Sequence, residues 1–205
     1  MCDGNDYLRA ARSSGNAMTV FLILIAVLVL FAFLFVGAYN RLVALRQNAN
    51  EAYADIDVQL KQRQDLIPNL VETVKGYAAH ERGTLDEVTQ ARAAAASATS
   101  VESKVQAENA LSGALGRLFA VAEAYPDLKA NQNFLQLQGE LADIENKLAA
   151  ARRFFNNAVG EYNASIQRFP AVLIAGMAGF AARDFFDVGA DRAAMSAAAP
   201  QVKFS

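Results

Sequence analysis

His80 and Cys2 are the single histidine and the single cysteine of the chain, and they set how much reaction chemistry it can carry. A di-metal centre in a helical bundle takes two Glu-x-x-His motifs. Tyr77 stands where the glutamate partner of His80 would be. The His-x-x-x-His spacing of zinc sites lacks its second histidine. Cys2 is remote from any core-forming segment, so no Cys–His pair is available. A Ser–His–Asp triad would have to form around His80 with no supporting motif. Walker and Gly-x-Gly-x-x-Gly sequences are absent. Glu140, Asp143, Glu145 and Lys147 read as solvated helix charges, with no pocket where paired carboxylates could act. No catalytic residue, metal site or cofactor is expected, and His80-Glu81 reads as the polar end of a helix.

Composition excludes a further class. The formal net charge is −2 over 205 residues, and it is unchanged when Asp3, Asp6, Arg9 and Arg12 are set aside. The remainder is near neutral and lacks the basic face that nucleic acid requires. A lone cysteine permits no disulfide within the chain. Four prolines, no tryptophan and abundant alanine favour helices throughout.

The elements that could position any site begin with an apolar run. Residues 1–16 form a short polar leader, expected to be irregular. From Ala17 to Ala38 no residue is charged, and as a helix this run spans about 33 Å, against roughly 30 Å of bilayer hydrocarbon. A retained transmembrane anchor is expected. Val36-Gly37-Ala38 leaves a cleaved signal peptide as the alternative, although the run exceeds the usual signal core. Tyr39, Arg41 and Arg46 fall at the expected membrane interface. Arg9 and Arg12 on one side balance Arg41 and Arg46 on the other. Lys61 and Arg63 tilt the count slightly towards a cytoplasmic bundle.

Beyond the anchor, Leu42, Leu45, Ala49, Ala52, Ile56, Leu60, Ile67, Leu70, Val74 and Tyr77 recur at helical steps. Pro68 interrupts this stripe and predicts a kink or restart. A fresh helix is expected near Thr84, and another from a capping box of Thr99 and Glu102. The latter carries Val101, Val105, Leu111, Leu115, Leu118 and Ala122, with Gly113 and Gly116 read as packing contacts. The cleanest stripe runs from Phe134 through Leu137, Leu141, Ile144, Leu148, Ala151, Phe155, Val159, Tyr162 and Ile166 to Phe169. Two long helices of matched length, with shorter ones between, predict an all-α fold. Its form is a transmembrane helix continuing into a long antiparallel bundle of four-helix type over residues 39–170. Asn156, Asn157 and Asn163 flank the last stripe, where amides either stay on the surface or fix register.

Residues 171–182 are uncharged and too few to span a bilayer. Within residues 171–186, Leu173, Ile174, Gly176, Met177, Gly179, Phe180, Phe185 and Phe186 are candidates for self-association or membrane contact. Packing of this segment on its own bundle, on neighbouring copies or in the lipid interface are the open readings. Residues 187–205 read as a tail.

The stretch Tyr39-Asn40-Arg41-Leu42-Val43-Ala44-Leu45-Arg46 and the run from Asp55 to Tyr77, with Asp65-Leu66-Ile67-Pro68-Asn69-Leu70 at its centre, resemble the LemA family. So do Asn133-Phe134-Leu135-Gln136-Leu137-Gln138-Gly139-Glu140-Leu141, Ala151-Arg152-Arg153-Phe154-Phe155-Asn156, Glu161-Tyr162-Asn163, Phe169-Pro170 and Pro200-Gln201-Val202-Lys203-Phe204. Tyr53 departs from the tryptophan expected there, and the polar leader is longer than usual. The resemblance implies a single-pass bacterial membrane protein with a helical bundle and no catalytic residues. It also implies, through a homologue in magnetosome formation, a role in making or shaping membrane compartments. The expected partners are the lipid bilayer of the inner membrane and further copies of the chain, in a membrane-organising scaffold. The alternative is a monomeric adaptor or sensor presenting its bundle to a membrane protein partner.

Overall fold

The computed structural model describes residues 4–186, with residues 4–20 as backbone only. Six helices follow one another: α1 Gly4–Lys75, α2 Arg82–Ser97, α3 Val101–Ala122, α4 Pro126–Lys129, α5 Gln132–Ile166 and α6 Ala171–Met177. No strand occurs among the described residues. The all-α expectation holds. Packing divides the chain into two compact units. Of the described residues, one comprises those up to Arg46 together with Tyr162–Ala182, the other Gln47–Glu161 together with residues 183–186.

The larger unit is a bundle of α1, α2, α3 and α5. Its helices form because their apolar residues fall on one side at steps of three and four, a stripe that only neighbouring helices can cover. One apolar cluster joins Ile67, Leu70 and Val74 of α1 to Val88 of α2, Leu111 and Leu118 of α3, and Phe134 and Leu141 of α5. A second joins Ala49, Ala52, Ile56 and Leu60 of α1 to Leu148, Phe155 and Val159 of α5, with Phe186 packed among them. In the smaller unit Leu42 and Leu45 of α1 meet Tyr162 and Ile166 of α5 and Ala175 and Phe180.

Several local expectations are corrected. Residues 4–16, read as an irregular leader, already belong to α1. Tyr77 is outside the helix and exposed, where its hydroxyl accepts from Asn131 Nδ2 at 2.9 Å. Phe169 is likewise exposed, at 77%, because α5 ends at Ile166. Helix α3 is capped by Ser100 and Ser103 instead of Thr99 and Glu102: the Ser100 hydroxyl accepts from Ser103 N–H at 3.1 Å, and Ser103 Oγ accepts from Ser100 N–H at 3.0 Å. Two serines close the reciprocal box as a Ser and a Glu would. Gly113 and Gly116 are not packing contacts. Both are exposed, and a Cβ at Gly116 would meet nothing within 4 Å. The expected tail at 187–205 lies outside the described residues.

Pro68 neither breaks nor restarts α1, which runs through it without interruption. A proline inside a helix removes the N–H that would bond the carbonyl four residues back, here that of Gln64. Arg92 of α2 takes up that carbonyl, its Nε donating at 2.7 Å. Arg92→Met therefore strands a half-buried acceptor and is expected to cost about 1–3 kcal/mol in denaturant unfolding. In a Pro68→Ala background the restored backbone N–H can serve the same carbonyl, and the cost of Arg92→Met falls by about half or more. Equal costs in both backgrounds would refute this pairing.

Candidate membrane-proximal and bundle-core sites

In the smaller unit the last turns of the apolar run lead directly into a packed site. Fourteen large apolar side chains between Phe21 and Val36 are exposed. Leu42 and Leu45, about two turns further on, are buried. Tyr39 and Phe180 meet edge to face, with ring centroids 5.7 Å apart at 71°. The Arg46 guanidinium lies over the same Phe180 ring at 4.9 Å, a cation–π contact of about 0.5–2 kcal/mol. Tyr162 donates its hydroxyl to Ala181 O at 3.0 Å, fixing the chain that follows α6. Arg41 is exposed and lines a groove of about 360 Å³ with Phe33, Leu34, Arg168 and Phe169.

The eight candidates from the C-terminal apolar segment separate. Ile174 and Phe180 are buried in the smaller unit and Phe186 in the larger, so these three face their own chain and are removed from any outer surface. Leu173, Met177 and Phe185 are exposed at 61%, 84% and 43%. Gly176 and Gly179 are exposed too. Gly179 holds φ +71°, the left-handed conformation in which the chain leaves α6. The Phe186 backbone is held in the larger unit by Asn156, whose side-chain Nδ2 donates to Phe186 O at 3.1 Å while its Oδ1 accepts from Phe186 N–H at 2.8 Å. Asn156 is thus one of the amides that fixes position, whereas Asn157 is exposed.

The bundle core holds a polar layer that the stripes pass over. Arg63, Gln64 and Glu108 are buried. Arg63 Nη1 donates to Glu108 Oε2 at 3.1 Å and Nη2 to Ser112 Oγ at 2.8 Å. Gln64 Nε2 donates to Glu108 Oε1 at 3.4 Å, and Glu145 of α5 lies 3.4 Å from Arg63. Burial pushes the Glu108 carboxyl above its ordinary value, and the Arg63 charge, the Gln64 hydrogen bond and the Arg152 charge offset this in part. The layer falls between the two apolar clusters on each helix: between Leu60 and Ile67 in α1, Val105 and Leu111 in α3, Leu141 and Leu148 in α5. The signal was present as a gap in the stripes of α1 and α3, whereas the α5 stripe continues unbroken through the buried Ile144. A hydrophobicity pattern cannot say whether such a gap is filled by a buried ion pair or turned to water.

Among the described residues no three His, Cys, Asp or Glu side chains are grouped as a metal ion would need. His80 is exposed in the turn after α1.

A sequence model of the LemA family matches residues 52–204. The magnetosome protein MamQ of Magnetospirillum gryphiswaldense is 24% identical over 203 residues, covering 85% of this chain and 75% of the relative. MamQ 2 of Paramagnetospirillum magneticum shows the same identity and coverage. Protein LemA of Metamycoplasma hominis is 30% identical over 145 residues, covering 68% of this chain and 64% of the relative.

Removing one member of the buried pair leaves the other charge without compensation. Arg63→Met is expected to cost about 3–5 kcal/mol, and the double change Arg63→Met/Glu108→Leu to recover most of it. Additive losses in the double variant would show that the two side chains are not coupled. The pH response has a definite sign. The folded carboxyl binds its proton more tightly than the unfolded one, so stability linked to Glu108 is complete below its ordinary value of 4.5 and is lost as pH rises through the elevated value. Urea midpoints of the wild type relative to Glu108→Gln should therefore fall as pH rises from about 4.5. A relative midpoint that rises over that range would reverse the assignment.

Proposed function

Since this chain belongs to the LemA family, we propose that it is a membrane-anchored, non-enzymatic helical scaffold. In this reading it self-associates to organise or shape the bacterial inner membrane. The observation that carries the reading is the uncovered apolar surface of α1. Fourteen large apolar side chains from Phe21 to Val36 are exposed, and among the described residues none of the most apolar stretch of that helix is buried. At about 1.5–3 kcal/mol per side chain, moving them out of water is worth about 20–40 kcal/mol. That is several times the net stability of a domain, so a bilayer is the environment this helix requires.

Self-association is supported by the outward apolar side chains of the bundle unit. Leu135 and Phe154 on α5 and Phe185 beyond α6 stand 43–58% exposed, apolar area that a second copy would cover. Relatives named as magnetosome proteins support a part in organising membranes.

Reconstituted full-length protein should stay with vesicles through an alkaline carbonate wash. In detergent, its light-scattering mass should be a multiple of the monomer's over a wide dilution range. A monomer mass at every concentration, with one stoichiometric protein captured on its bundle, would replace the scaffold with an adaptor. Release into the wash would end the anchored reading altogether.

A further inference from the structure

We infer that the Phe169–Met177 segment is a second membrane contact, lying in the headgroup region of an anionic bilayer beside the anchor. Four observations in the smaller unit converge on this. First, the turn before α6 shares a groove with the apolar run itself: Phe33 and Leu34 form one wall and Phe169 and Pro170 another. Residues at the level of the anchor's last turns share its surroundings, so whatever solvates Phe33 reaches Phe169.

Second, α6 is apolar on both sides. Ile174 and Ala175 are buried against its own unit, while Val172, Leu173 and Met177 stand 45%, 61% and 84% exposed. A seven-residue helix has no reason to turn three apolar side chains outward in water when Gly176 and Ala178 beside them show that small residues fit. In the interface that outer face is buried in the acyl boundary, the usual posture of a helix lying flat on a membrane.

Third, the charges have one sign. Phe21–Arg46 and Tyr162–Ala182 contain Arg41, Arg46 and Arg168 and no acid. Arg41 and Arg168 both line the groove, placing guanidinium forks where lipid phosphates would lie. Fourth, Ser165 lines the same groove, and its buried hydroxyl has no hydrogen-bond partner among the described residues. It is a spare donor beside the two arginines.

This inference rests on the anchored reading above, and the experiment separates the two. In a Cys2→Ser background, single cysteines at Leu28→Cys, Met177→Cys and Gln90→Cys carry an environment-sensitive fluorophore. The full-length protein is then reconstituted in phosphatidylethanolamine–phosphatidylglycerol vesicles containing brominated lipid. Quenching at 28 reports the anchor, at 177 the proposed contact, and at 90 an exposed control in the bundle unit. Quenching at 177 should exceed that at 90 by about twofold or more. It should drop towards the control on Leu173→Glu or on the double change Arg41→Gln/Arg168→Gln, both of which alter exposed side chains.

Quenching at 28 with none at 177 overturns the second contact and leaves the anchor standing. No quenching at 28 overturns both. A probe at 177 that ignores brominated lipid but self-quenches as the protein-to-lipid ratio rises assigns the face to a second copy and overturns the inference.

Discussion

Between Ala38 and Leu42 helix α1 changes from apolar on every side to apolar on one, and the rest of the structure follows from how each kind of surface is covered. Before that point, from Phe21 to Val36, the large apolar side chains stand exposed among the described residues. After it, Leu42, Leu45, Ala49, Ala52, Ile56 and Leu60 are all buried. A helix apolar on every side needs an apolar environment all round it, and a one-sided stripe with a polar opposite face does not suit lipid alone. The two patterns in one uninterrupted helix therefore call for two surroundings. The long stripe of α5 is the complement of the second pattern, and α2 and α3 cover what α5 leaves open.

Within the bundle, Arg63, Gln64, Glu108 and Ser112 lie at one level and hydrogen-bond to one another. Gln64 serves twice there. Its side chain donates to Glu108, and its carbonyl, freed by Pro68, receives Arg92. Arg63 meets carboxylates from α3 and α5. Apolar residues at these positions would supply comparable stability, since a buried ion pair gains little over a well-packed hydrophobic substitute. What the polar layer adds is discrimination between registers. Two long helices with stripes of alanine and leucine could slide by a turn at modest cost, but a slide by one turn would part Arg63 from Glu108 and leave both charges buried.

The long-range architecture was legible in the sequence because it rests on periodicity alone. Nine of the ten stripe positions assigned to α1 are buried, as are Leu148, Phe155, Val159 and Tyr162 in α5. Stripe ends were not legible: Tyr77 and Phe169 continue the period but lie just past the last helical turn, where the period no longer fixes direction. The α3 cap was misplaced by one residue because serine and threonine are equivalent in composition, and only the backbone decides which of Thr99 and Ser100 turns inward. Arg41 and Arg46 stood out by type and by position just after the apolar run, whereas the stacking of Arg46 and Tyr39 on Phe180 did not. That contact joins residues far apart along the chain, and no local pattern specifies it.

The segment after α6 shows why particular polar side chains sit where they do on α5. Chain that leaves a helix and lies against others has no ladder to satisfy its N–H and C=O groups, and each buried one left unpaired costs about 1–3 kcal/mol. Asn156 carries a donor and an acceptor on one planar amide and answers both backbone groups of Phe186. Tyr162 supplies the hydroxyl for Ala181 O while its ring fills the core. A leucine at either place would pack and an aspartate would accept, but neither could do both tasks. The stripe of α5 is therefore shaped by two demands at once, apolar contact with α1 and hydrogen bonding to the segment that returns along it. Phe180 and Phe186 are buried because the second demand is met.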